Sequence, residues 1–126
     1  MALPVSKSAF AGIVEEALRD LPEQFAAALE EVRVEIRDTP TSRMLRRAGL
    51  GPEDLLLGLY EGRPITERSV EESGRLPDII YVFQASIEQI SDTREQLIEN
   101  VRSTVLHELG HHYGLDEDDL DELGYG

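Results

Sequence analysis

The chain has 126 residues, 40% of them hydrophobic and 30% charged, a balance that suits one globular domain over 1–126 with a real core and no room for a second. A formal charge of −14 excludes nucleic-acid backbone binding, since no basic stripe exists to displace counterions. With no cysteine, disulfides, thiolate ligands and cysteine nucleophiles are excluded, and any metal must be held by histidine and carboxylate.

The start, Met1-Ala2-Leu3-Pro4-Val5, is neither basic nor apolar enough for a signal peptide, and no stretch approaches a membrane span. The expected compartment is therefore the cytoplasm. In chain order, residues 7–19 read as an amphipathic helix capped by Ser6, with Phe10, Ile13, Val14, Ala17 and Leu18 on one face. Pro22 opens a second helix, Glu23 to Glu31. Val32 to Arg37 alternates apolar and charged residues and reads as a strand with one buried face, ended by the turn Asp38-Thr39-Pro40-Thr41. Residues 42–48 form a short helix closed by Gly49, and its Arg43, Arg46 and Arg47 read as a solvated face.

Leu55 to Glu61 reads as a second strand, in which Gly58 marks a bulge or a close backbone approach. Gly62 to Pro77 is polar and punctuated, a long loop suited to flanking a cleft. Asp78 to Gln84 is the clearest strand, apolar on both faces and therefore covered on both. The last long helix runs from Thr93 to about Tyr113, started by an Asp92–Glu95 capping box and stopped by Gly114. Glu88, Glu95 and Glu99 read as ordinary solvated charges.

All three histidines fall in His107-Glu108-Leu109-Gly110-His111-His112. Histidines at i and i+4 project from one helix face, one turn apart, which is how two imidazoles reach a single zinc ion. Glu108 lies about 100° further round, where a carboxylate can take a proton from water that the metal activates. The helix stripe of Leu97, Ile98, Val101, Val105 and Leu109 puts His107 and His111 away from the core and His112 towards it. Asn100 and Thr104 share the histidine face. Tyr60 and Tyr113 read as packed aromatics that could alternatively support an oxyanion. Beyond the Gly114 turn, Asp116, Glu117, Asp118 and Asp119 offer an oxygen ligand from the returning chain.

The extended pattern His-Glu-x-x-His-x-x-Gly-x-x-Glu has company elsewhere in the chain: Leu56 to Gly62, Pro64 to Ser69, Leu76 to Ile79 and Leu120 to Tyr125. Together these resemble the bacterial minimal zincin-like metallopeptidases over the C-terminal two thirds of the chain. The resemblance implies a small α+β domain, a short mixed sheet packed with helices, among them a long C-terminal helix that carries the site. It also implies His107 and His111 as zinc ligands, Glu108 as catalytic base, and an acidic third ligand at Glu117. Related zincins place Asp there, so Asp116 or Asp118 stand as alternatives. The expected function is zinc-dependent hydrolysis of a peptide or protein substrate, with the run from Asp78 to Gln84 as the edge strand that seats it. The alternatives are a non-catalytic metal-binding or protein-interaction module that keeps the site, and a structural acidic domain without metal.

Overall fold

The computed structural model describes residues 4–62 and 78–114, together with Asp118 and Glu122. Helix α1 spans Lys7–Arg19, with the Ser6 hydroxyl accepting from the Ala9 N–H at 3.1 Å and Phe10, Ile13, Val14 and Ala17 buried on one face. The second helix departs from the expected single run. Helix α2 holds only Glu23–Ala26, with Pro22 as its cap, and the chain then tightens into a 3₁₀ turn over Ala27–Glu30. Tighter winding rises further per residue, and it carries the chain to the following strand while still burying Ala28.

Strand β1 is Val32–Arg37, β2 is Gly58–Glu61 and β3 is Asp78–Phe83, in the order β1-β3-β2. β1 runs parallel to β3, pairing Val34 with Ile80, and β2 runs antiparallel to it, pairing Tyr60 with Ile80 and Gly58 with Val82. Because side chains alternate along a strand, Val32, Val34, Ile80, Val82 and Tyr60 share one face. That face packs on α1 and on the long helix α5, Arg94–His112, through Leu97, Val101, Val105 and Leu109. The opposite face stacks Tyr81 on Phe83, ring centroids 6.3 Å apart, under Met44 of the short helix α3, Ser42–Arg47. β3 is therefore central and covered on both sides, as its composition implies. The second strand is shorter than the apolar run that announces it, because Leu55 to Leu57 lie outside the ladder, although the Leu57 carbonyl still accepts from the Phe83 N–H at 3.0 Å.

Gln84 does not extend β3. It begins helix α4, Gln84–Gln89, a six-residue helix too short for a clear periodic signal. Its side-chain amide donates to the Val5 carbonyl at 2.9 Å, while Glu88 accepts from the Val5 N–H, also at 2.9 Å. Glu88 is thus a half-buried tether for the N-terminal segment and not a solvated charge. Helix α5 is capped one residue later than expected. Thr93, not Asp92, accepts from the Gln96 N–H at 3.1 Å, and the Gln96 side chain reaches back to the Asp92 N–H at 2.6 Å. The reciprocal logic of a capping box survives with different residues, because Thr93 is the last with extended backbone. At the other end Gly114 adopts φ +83°, the left-handed stop. The loop expected over 62–77 lies outside the described residues beyond Gly62.

Candidate metal centre

At 100° per residue, α5 sends His112 into the core and leaves His107 and His111 half-buried on the other side. The His107 and His111 rings stand 5.0 Å apart, nearly perpendicular. One ligand-type atom from each of His107, Glu108 and His111 lies within 4.8 Å of the others, close enough to share an ion. The three are not equivalent. Glu108 is only 8% exposed, and its Oε1 accepts the Tyr60 N–H at 2.8 Å. A nearly buried carboxylate needs such a partner, and here the edge of the sheet supplies it. Its other oxygen lies 3.9 Å from Nε2 of His107. Glu108 is thus tied to β2 by one oxygen, with the other near the His107 ring.

The contact between α5 and β2 depends on Gly58. A β-carbon at this position would lie 2.9 Å from the Tyr81 carbonyl oxygen and collide with Cγ2 of Thr104, so the close approach read from the sequence is real. Two cavities flank the motif and share His107 and Glu108. One, of about 270 Å³, is lined by Leu57, Gly58, Ser103 and Thr104; the other, of about 380 Å³, adds His111, Tyr60, Leu59 and Arg47. Among the described residues the strand bordering both is β2. The seat expected on Asp78 to Gln84 does not hold, because β3 is the central strand and has neighbours on both sides. Sequence alone does not show which apolar run lies in the middle.

His112 is fully buried, on the core side where helical periodicity places it. Its Nδ1 is 2.8 Å from Oδ2 of Asp78, and its Nε2 is 3.2 Å from Glu31. The Tyr60 hydroxyl donates to the same Asp78 oxygen at 2.7 Å. Tyr60 therefore joins two systems, its backbone N–H on Glu108 and its hydroxyl on the buried Asp78–His112 pair. Tyr113 packs edge-on to Phe25 and His112, and burial, with the charge of Glu31 behind it, raises its phenol pKa. Thr104 donates to the Asn100 carbonyl at 2.7 Å and Asn100 donates to Ser91 at 2.9 Å, and Thr104 lines the smaller cavity beside the motif. Glu117 and Asp116 lie outside the described residues; Asp118 is exposed.

A HExxH helix laid against the edge of a small mixed sheet, with a cavity on either side, defines a zincin-type α+β domain. The chain belongs to the zincin-like metallopeptidase family, whose model matches residues 29–126. The match reaches back through β1, further than the motifs legible in the sequence. No curated protein matches. Among solved structures, a conserved hypothetical protein from Thermo thermophilus is similar, with a TM-score of 0.54 and 26% identity over 94% of this chain and 97% of that one. Family membership implies a metal, typically zinc. The donor chemistry fits it: two half-buried imidazoles on successive turns beside an anchored carboxylate, with no thiol anywhere in the chain.

Proposed function

We propose that the protein is a zinc-dependent peptidase in which His107 and His111 hold the metal, Glu117 is the third ligand with Asp116 and Asp118 as alternatives, and Glu108 is the general base. The observation that carries this reading is the fixed position of the Glu108 carboxylate, anchored by Tyr60 and turned towards the His107 ring. Zinc, when bound, polarises a carbonyl and lowers the pKa of water to about 7. Glu108 then takes the proton of the attacking water and returns it to the leaving amine. Its bond to a backbone N–H keeps the carboxylate in place through both transfers, so no side-chain reorganisation is needed between them. β2, which borders both cavities, is the proposed seat of the scissile peptide.

No helix among the described residues is long and apolar enough to cross a membrane. The cytoplasm is the proposed setting, in keeping with the cysteine-free composition. The test is metal analysis of untagged protein beside His107→Ala and His111→Ala. Wild type should carry close to one zinc per chain and hydrolyse peptides in a chelator-sensitive way, and each variant should lose both properties. Hydrolysis that persists in metal-free protein would sink the reading.

A further inference from the structure

Resting on the peptidase reading, we propose that the larger cavity beside the motif selects a carboxylate on the substrate, and that Arg47 is the residue that recognises it. The starting observation is how this acidic chain uses its arginines. Acidic residues outnumber basic ones 26 to 12, so partners are plentiful. Arg94 is held by Glu16 at 2.7 Å, Arg102 by Glu99 at 2.7 Å and by Asp20 at 3.3 Å, and Arg33 reaches Glu35 at 3.2 Å. Helix α3 differs. Arg43, Arg46 and Arg47 are all exposed, and Arg47 meets Glu61 only at 4.0 Å, beyond hydrogen-bonding distance.

Arg47 also lines the cavity that contains His107, Glu108 and His111, whose other walls include Leu50, Leu56 and Leu59. Among the described residues that line it, Arg47 is the one guanidinium, and its planar fork of N–H donors matches a carboxylate and offers nothing to an ammonium. The net charge of −14 repels anionic substrates at long range, so a local basic helix is where an anionic group could be received. Arginines in the last turn of a helix also suit its dipole, which accounts for their place on α3. That explanation does not account for a place in the wall of this cavity. The carboxylate could belong to an Asp or Glu side chain or to the end of a peptide chain.

Binding tests this without requiring turnover. Zinc-loaded Glu108→Gln protein is titrated with labelled peptides of one neutral sequence in three forms. One set carries a single Glu walked through each position with an amidated C-terminus, one is the Gln parent with an amide, and one is the Gln parent with a free terminal carboxylate. A carboxylate peptide should bind about tenfold tighter than the neutral parent, and the form that does so identifies the source. Added salt should erode the advantage, Arg47→Ala in the same background should erase it, and Glu61→Gln should enlarge it by removing the competing acid. Equal binding of all forms, no binding of any, or an advantage that survives Arg47→Ala overturns the inference. The two readings fail separately: selective binding without hydrolysis in the wild type sinks the peptidase and keeps the subsite, and cleavage with no carboxylate preference does the reverse.

Discussion

Gly58→Ala should damage the protein through a contact that can be located atom by atom. The added methyl carbon would stand 2.9 Å from the Tyr81 carbonyl oxygen, under 3.0 Å from Cγ2 of Thr104 and 3.7 Å from Cγ of Glu108. The Tyr81 oxygen belongs to the backbone of the central strand and has little freedom to move. Thr104 cannot rotate cheaply, because it is β-branched on a helix and its hydroxyl is bonded to the Asn100 carbonyl at 2.7 Å. Relief must therefore come from separating β2 and α5, an overpacking cost of about 1–3 kcal/mol. Alanine also restricts the unfolded chain, which offsets up to about 1 kcal/mol. The net loss is about 1–2 kcal/mol, or a fall in Tm of roughly 5 °C. Urea unfolding measures it directly. Thr104→Ser, which removes the offending methyl and keeps the hydroxyl, should reduce the cost of Gly58→Ala by about 1 kcal/mol in a double-mutant cycle. Zinc affinity should change less than turnover, since the separation disturbs the Tyr60–Glu108 bond more than the spacing of two histidines on one helix. Gly58→Ala protein with wild-type stability, or strictly additive variants, would refute the reasoning.

Three further substitutions probe the scaffold. Asp78→Ala removes one hydrogen-bond partner each from His112 and the Tyr60 hydroxyl in a fully buried position, and should cost about 3 kcal/mol by denaturant unfolding; a loss no larger than that of an exposed Asp would contradict the network. Thr93→Ala removes the α5 cap and should cost about 1 kcal/mol while leaving zinc binding intact, because the frayed turn is remote from His107. Glu16 has its pKa lowered, chiefly by its hydrogen bond to Arg94, so the pair contributes stability above the ordinary value of 4.5, and that contribution is lost as pH falls through the depressed pKa. The Tm difference between wild type and Glu16→Gln should therefore be present at neutral pH, shrink with added salt and vanish in strong acid; a difference unchanged in acid would assign it to something other than this ion pair.

Local chemistry made much of this molecule legible before its structure. The alternation of Val32 to Arg37, the Ser6 cap and the left-handed stop at Gly114 each depend on a few adjacent residues, and each falls where the chain order puts it. The direction of the three histidines follows from helical periodicity alone, so His112 separates cleanly from His107 and His111. What resisted was everything set by distant pairing. The run from Asp78 reads as a covered strand, yet nothing local says that it has neighbours on both sides and leaves the edge to β2. Asp78 looks like the polar start of that strand, and only folding brings it to His112, 34 positions away, and to Tyr60. Helix α4 has Ile87 as its one strongly apolar anchor, and tertiary bonds from Gln84 and Glu88 to Val5 stand in for a longer periodic signal. The 3₁₀ turn after Ala26 likewise answers to where β1 begins, not to the preference of its own residues.

The central claim is that Glu108 performs the proton transfers and does not merely complete a metal site. Turnover and zinc content of Glu108→Gln, measured on the same preparation, test it most directly. Glutamine keeps the length and an acceptor oxygen for the Tyr60 N–H but cannot act as a base. The account predicts zinc retained near one per chain with hydrolysis reduced by about a thousandfold or more. Full activity in Glu108→Gln, or loss of zinc together with activity, would contradict it and make the carboxylate a spectator or a ligand.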